Sequence, residues 1–212
     1  MAEGRTRAHR PAAERREQLL DAAVAVMREG GVAAATTRAV ADRAGLPQGA
    51  FHYCFRSKDE LFTALLDREL DACLAHVWDT VAGGGDLESV ISGALGALLG
   101  RVRSDPEYHL LTAELVGVAA RTPALAHIAR REHTTYVDRA EQMLHGWQGP
   151  GGPMEPAAAR ALAEALVVAS TGLTTAWLST RDDDAARSTV QLLASALART
   201  ADAGHPHHCE RA

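Results

Sequence analysis

Two very short predicted helices, between Thr36 and Tyr53, set the tightest limit on how this chain can fold. Thr36 can cap the first of them, Gly45 can supply the left-handed residue that ends it, and Pro47 suits the first position of the second. Helices of about two turns are marginal in water on their own, so both must pack against longer neighbours. The order of short helix, glycine turn and short helix is typical of a helix-turn-helix, whose second helix enters the major groove of DNA.

The other segments are longer, and all of them are predicted to be helices. Aromatic residues are only 4% of the 212, and no stretch alternates apolar and polar side chains as a half-buried strand would. The predicted helices run from Ala12 to about Glu29, Lys58 to about Ala82, Asp86–Arg103, Pro106–Arg121, Pro123–Trp147, Pro156–Thr180 and Asp182 to about Thr200. The chain is therefore predicted to be all-α, with about nine helices.

Two polar segments are predicted to start helices. Ser57 and Glu60 have the spacing of a capping box, in which each side chain satisfies a backbone N–H at the helix start. The run Asp182–Asp184 could be mistaken for a metal or diphosphate motif. Acidic residues are favourable at a helix N-terminus, and we interpret the run as the start of the last helix.

The charges divide the chain into unequal parts. The first 58 residues hold ten Lys and Arg against six Asp and Glu, although the net charge of the whole chain is −5. A basic N-terminal part on an acidic remainder favours a polyanionic partner at one end only. We predict a helix-turn-helix domain over 1–57, with 1–11 as a flexible arm, a ligand-binding and dimerisation domain over 58–202, and a flexible tail over 203–212.

Composition argues against export and against a resident cofactor. No run of about 18 apolar residues is present, and the first residues, MAEGRTRAHRP, lack the apolar stretch of a secretory signal. Cys54, Cys73 and Cys209 have no metal-ligand spacing and no even-numbered disulfide framework. We expect a cytoplasmic protein with no cofactor and no membrane partner.

From Arg15 to Leu61 the sequence resembles the DNA-binding domain of the TetR/AcrR family of bacterial transcriptional regulators. The residues that carry the resemblance are Leu20-Asp21-Ala22-Ala23, Gly31, Thr36-Thr37-Arg38, Val40-Ala41, Ala44-Gly45-Leu46, Gly49, Phe55 and Ser57-Lys58-Asp59-Glu60-Leu61. The resemblance implies an N-terminal three-helix reader of double-stranded operator DNA and a C-terminal helical bundle. It also implies a homodimer through the last two helices, and most commonly a repressor that a small molecule releases from DNA.

The resemblance also implies which residues touch DNA. These are Thr36, Thr37 and Arg38 on the first short helix, Gln48, Gly49, Ala50, His52 and Tyr53 on the second, and Lys58 as a phosphate anchor. Gln48 suits adenine, and Ala50 can offer an apolar contact to a thymine methyl group. Pro47 and His52 stand where the family usually has serine and tyrosine, which affects the preferred operator sequence. Arg5, Arg7 and Arg10 are predicted to follow the DNA backbone or minor groove.

The last helical pair has an apolar pattern that suits a dimer interface. The predicted interface residues are Leu166, Ser170, Leu173 and Trp177 on the eighth helix and Val190, Leu193 and Leu197 on the ninth. Two such pairs, one per subunit, can form a four-helix bundle. Burial within one subunit is the alternative explanation for the same pattern.

The middle helices are expected to hold the effector. Polar groups on an otherwise apolar lining are what a pocket for an amphipathic ligand needs. On that basis Tyr108, Glu114, His133, Tyr136 and Thr171 are the predicted ligand-binding residues. The effector itself is unknown from the sequence.

Three other functions are weaker interpretations. The protein could activate rather than repress transcription. It could be a metal sensor that uses His205, His207, His208 and Cys209 in its tail. It could be a helical enzyme, but no nucleophile–base pair, phosphate-cradling glycine loop or metal spacing supports that interpretation.

Overall fold

The computed structural model describes residues 12–81, 85–123, 125–147 and 154–203. Over these ranges the regular structure consists of nine α-helices and no strand, as predicted. The helices are α1 (Ala12–Ala34), α2 (Thr37–Arg43), α3 (Gln48–Cys54), α4 (Lys58–Val81), α5 (Leu87–Ser104), α6 (Pro106–Arg121), α7 (Ala126–Gly146), α8 (Pro156–Thr180) and α9 (Asp183–Ala203). We call α1–α3 the reader and α4–α9 the body.

Local chemistry explains most of the helix ends in the reader. The hydroxyl of Thr36 accepts a hydrogen bond from the Ala39 amide at 3.1 Å and so caps α2. Gly45 takes the left-handed conformation that ends this helix, with φ of 64°. Pro47 lies one position earlier than predicted, because its extended ψ of 148° makes it the N-cap of α3.

The predicted stop at Gly31 is a break within α1. Gly31 has φ of 74° and ψ of 174°, which no helical residue adopts. Residues 32–34 then form a separate short turn before α2. Glycine is the residue that reaches this conformation without steric cost.

The predicted starts of α4 and α9 are confirmed, with one difference. The Ser57 hydroxyl accepts from the Glu60 amide at 3.2 Å, but the Glu60 carboxylate accepts from the Arg56 amide at 2.8 Å, one residue further back than a capping box requires. Asp182 accepts from the amides of Asp184 and Ala185 at 3.0 and 2.9 Å. The aspartate run therefore starts a helix, as expected.

Two apolar cores hold the structure together. The first contains Phe51 and Phe55, both fully buried, and joins the reader to the start of α4 and to parts of α6 and α7. The second joins α5, α7, α8 and α9. Because α6 inserts Leu111 and Leu115 into the first core, the body and the reader share one packing unit.

Helix α8 is long and apolar enough to span a membrane by length and composition alone. Its buried face packs in the second core through Leu162, Leu166 and Leu173. A core helix passes the same test of hydropathy.

Candidate nucleic-acid interface

Helix α3 turns one face inward and offers the other to solvent. Phe51 is fully buried and anchors the helix against the reader core. Gln48, Gly49 and His52 are exposed, and Tyr53 is 72% exposed although it is a large aromatic residue. A polar face with an exposed aromatic ring on a two-turn helix fits the size of the DNA major groove. Ala50 is half-buried and lies at the border of this face.

The start of α2 lies beside it and carries the other predicted contacts. The Thr36 hydroxyl is used in the helix cap, and Thr37 is half-buried. Arg38 is exposed and its guanidinium lies 3.8 Å from the Asp42 carboxylate. An exposed ion pair of this length is worth about 0–1 kcal/mol, so Arg38 can exchange it for a phosphate or a base at little cost.

Lys58 lies at the first position of α4, where the resemblance places a phosphate anchor. Its ammonium group is 3.4 Å from the Val32 carbonyl oxygen and 4.9 Å from the centre of the Phe62 ring. Burial lowers the pKa of Lys58. The ammonium group is thus already directed by the protein before any DNA is bound.

Two side chains of α1 hold the short helices in place. Arg16 donates to the Cys54 carbonyl oxygen at 2.7 Å and stacks on Phe55, with its guanidinium 4.1 Å from the ring centre. Gln18 donates to the Ala44 carbonyl oxygen at 2.7 Å. Each bond satisfies a carbonyl at the C-terminal end of α3 or α2. Sequence reasoning missed both residues, because polar positions on a long helix carry no sign of such a partner.

A layer of interacting polar side chains lies among α4, α5, α6 and α7. Its centre is Glu69 on α4, which is only 6% exposed. The Arg101 guanidinium donates to both carboxylate oxygens of Glu69, through Nε at 3.3 Å and through Nη2. Tyr108 also contacts Glu69, and burial raises the pKa of Tyr108 to about 12. Buried charged groups are rare unless they are paired, as Glu69 is here.

The layer continues along the seam between α4 and α7. Burial raises the pKa of the Cys73 thiol to about 11, and this thiol interacts with the Tyr136 hydroxyl. Burial, together with the charges of Glu69 and Asp67, raises the pKa of the Glu132 carboxyl to about 7. His109 is 7% exposed, and burial lowers its pKa.

Of the five predicted ligand-binding residues, the structure brings only Tyr108 and Tyr136 into this layer. The His133 side chain is half exposed and lies 3.3 Å from the Glu164 carboxylate. Thr171 is exposed and donates to the Val167 carbonyl oxygen at 3.0 Å. The Glu114 carboxylate accepts a hydrogen bond at 3.2 Å from the amide of Val32, which is a residue of the reader.

His133 faces outward on α7, because the inward positions around it are Glu132, Tyr136 and Val137. Glu69 could have been found from the sequence. It is four residues from Leu65 and four from Cys73, which places an acid on the buried face of α4.

A cleft of about 350 Å³ lies where the reader meets the body. The arginines that line it are Arg28 on α1, Arg68 on α4 and Arg101 on α5. Arg28 pairs with Asp105, and Arg68 lies 2.7 Å from Asp21. These pairs link α1 to the body.

The predicted dimer residues divide into two groups by their burial within one chain. Leu166, Leu173, Trp177 and Val190 are buried within a single chain, in the second core. Ser170, Leu193 and Leu197 are half-buried. A periodic apolar stripe marks a packed face, but periodicity does not say whether the same subunit or a partner covers it.

Two other predicted sites lie outside the described residues. They are the N-terminal arginines Arg5, Arg7 and Arg10 and the tail cluster of His205, His207, His208 and Cys209.

Known proteins share both the reader sequence and the whole fold. A family model described as bacterial regulatory proteins, tetR family, matches residues 19–65. A nicotine-responsive transcriptional repressor, HdnoR of Paenarthrobacter nicotinovorans, is 29% identical over 75% of this chain and 81% of its own length. The crystal structure of a transcriptional regulator from Rhodococcus sp. Rha1 has a TM-score of 0.68 at 26% identity, over 87% of this chain and 96% of that one.

A second solved structure contains a bound small molecule. It is that of the multidrug binding protein EbrR complexed with ethidium, with a TM-score of 0.62 at 28% identity, over 85% of this chain and 98% of that one. The similarity to both structures therefore extends through the body.

Proposed function

We propose, from the premise that this chain belongs to the TetR family of bacterial regulatory proteins, that it is a transcriptional repressor released from its operator by a small molecule. The observation that carries the proposal is the exposed face of α3, held by the buried Phe51 and braced by Arg16. The HdnoR similarity supports repression and a response to a ligand. The proposed site of action of this chain is chromosomal DNA in the cytoplasm.

The proposed DNA contacts divide into two groups. Gln48, His52 and Tyr53 face the bases, since they project from the exposed side of α3. Arg38, Thr37 and Lys58 lie around it and are proposed to contact phosphates, with Arg38 also able to reach guanine. Phosphate contacts set position and salt dependence, whereas base contacts set sequence preference.

The proposed dimer uses the outer faces of α8 and α9 rather than their buried stripes. Val168 on α8 is 64% exposed and Leu192 on α9 is 67% exposed, although both are apolar. Exposed small residues surround them: Ala161, Gly172, Thr175 and Ala176 on α8, and Ser188 on α9. Small residues permit close approach of helices, and a two-fold pair of α8–α9 hairpins can form a four-helix bundle.

The polar layer of the body is the proposed effector site. It contains buried ionisable groups and two tyrosines. Buried groups with strongly shifted pKa values mark candidate sites. A ligand that fits better when α4 and α7 are separated would displace α4, which carries Lys58 at its other end.

Selection of fragments of the source genome by the purified protein tests the function. Enriched fragments should share one sequence motif with two-fold symmetry, since a dimer reads two half-sites. Protein carrying Gln48→Ala and His52→Ala should enrich a different motif or none, while Glu88→Ala, on the exposed start of α5, should enrich the same motif as the wild type. Recovery of fragments without a shared motif would contradict the proposal.

A further inference from the structure

The peptide of Val32 is the point where the body meets the reader. Gly31 breaks α1 with φ of 74°, so the Val32 amide loses the helical acceptor that it would otherwise have one turn earlier. Val32 is 1% exposed, and water cannot replace that acceptor. The Glu114 carboxylate on α6 accepts from this amide at 3.2 Å instead. An unpaired buried amide would be unfavourable.

The other side of the same residue faces the DNA-binding end of α4. The Val32 carbonyl oxygen accepts from Lys58 Nζ at 3.4 Å and from the Ala35 amide at 3.4 Å. Val32 is thus bonded to the body through its N–H and to the proposed phosphate anchor through its C=O. Val32 in the reader and Lys58 in α4 are 26 positions apart, and Val32 links Lys58 to Glu114 on α6.

Two other polar links between α1 and the body are exposed ion pairs. Arg28 pairs with Asp105, whose side chain is 43% exposed, and Arg68 pairs with Asp21, whose side chain is 74% exposed. Exposed pairs are screened by salt and contribute little. The bond from Val32 to Glu114 is partly buried and ends on the main chain, where the geometry is fixed.

We propose that Glu114 is a positioning residue, which fixes the direction of the reader relative to the body and so sets the spacing of the two α3 helices in the dimer. This inference rests on the proposed function and adds the path by which the body controls DNA binding. Movement of α6 shifts Glu114, and the Val32 peptide and the reader that contains it follow. The side chain acts through Val32 and touches no DNA itself.

Three variants test the proposal. Glu114→Ala removes the acceptor, Glu114→Gln keeps an acceptor oxygen, and Glu88→Ala is a control for loss of an exposed acid. Amide hydrogen exchange reports the Val32 bond directly, and fluorescence anisotropy reports affinity for a selected operator duplex and for a random duplex. Circular dichroism at each step confirms that the variants are folded.

Glu114→Ala should speed exchange of the Val32 amide by about tenfold and weaken operator binding about five- to tenfold. Affinity for the random duplex, and its salt dependence, should stay at the wild-type value, because the reader surface is intact. Glu114→Gln should recover most of both losses, and Glu88→Ala should match the wild type.

Equal loss on operator and random duplexes would show a merely structural role and overturn the proposal. So would wild-type operator affinity in Glu114→Ala. Failure of the wild-type protein to select any operator would instead remove the proposed function, and unchanged Val32 exchange in Glu114→Ala would separately remove the bond on which the inference depends.

Discussion

Gln48 and Lys58 differ in what they can recognise, although both lie at the start of a helix of the candidate interface. Gln48→Ala should change which operator is preferred, by about 1–3 kcal/mol at one base pair, because a bidentate amide contact to adenine is lost. Lys58→Ala should weaken binding to all sequences and reduce the slope of log affinity against log salt by about one. Anisotropy titrations with operator and random duplexes at several salt concentrations measure both. Equal effects of the two substitutions on the two duplexes would contradict this division.

Glu132 predicts a pH dependence of stability. Its folded pKa of about 7 lies above the ordinary value of 4.5 for glutamate, so the folded state binds a proton that the unfolded state has lost. Its contribution to stability is present below the unfolded pKa and is lost as the pH rises through about 7. The free energy of unfolding of Glu132→Gln, relative to that of the wild type, should therefore increase as the pH rises from 4.5 to about 7. Urea unfolding at several pH values measures this difference. Parallel stability curves for the two proteins would exclude the shift. Glu88→Gln is the matched control.

Individual residues were predictable where the chemistry is local. The Thr36 cap, the left-handed Gly45 and the aspartates at the start of α9 depend on neighbours within four residues. His133 and Thr171 were placed in a pocket because periodicity fixes a helix face only to within about one residue. Which face turns inward is decided by packing of α7 against α8, α6 and α4, which the periodicity of α7 alone does not reveal.

At the scale of elements, α3 depends on contacts that its own sequence does not reveal. Arg16 on α1 satisfies the Cys54 carbonyl and stacks on Phe55. Arg16→Ala should lower the free energy of unfolding by about 1–3 kcal/mol, because a charged donor to a partly buried carbonyl and a cation–π contact are both lost. Arg130→Ala, at an exposed position of α7, is the control and should leave stability within about 0.5 kcal/mol of the wild type. Chemical unfolding measures both, and equal stability of the two variants would contradict the bracing role.

Most helix bounds followed from the sequence because most ends carry their own signals, although α7 begins at Ala126 and not at Pro123. Pro106 and Pro156 begin α6 and α8 as predicted, and Asp86 caps α5 through the Ser89 amide at 2.7 Å. The sequence did not predict which residues of α8 are buried in the core of the same chain and which lie on its outer surface. Leucine and tryptophan in a stripe pack equally well against the same chain or a partner, and only the fold shows that α5, α7 and α9 already cover them.

The whole molecule should be a dimer that depends on the outer faces of α8 and α9. Leu192→Asp or Val168→Asp places a charge in the proposed interface and should yield monomers with at least about tenfold weaker operator binding. Leu110→Asp is the matched control, because Leu110 is 48% exposed on α6, away from that face. Light scattering after size-exclusion chromatography gives the mass. Dimers of Leu192→Asp that bind the operator normally would place the interface elsewhere.

Charge also acts at this scale. The first 58 residues carry the excess of basic residues and the rest of the chain carries the excess of acids, which favours DNA binding at the N-terminal part only. In the proposed dimer this asymmetry orients the two readers toward the same duplex. It was visible in the sequence, whereas the spacing of the readers depends on the dimer and on the bond between Glu114 and Val32.

Hydroxyl-radical footprinting of the wild-type protein on a selected genomic fragment tests the central claim most directly. Two α3 helices held by one dimer predict two symmetric protected segments, with centres about 34–36 Å or a multiple of that distance apart along the DNA. A single unpaired protected segment, or protection no different from that on random DNA, would contradict a dimeric reader of two half-sites.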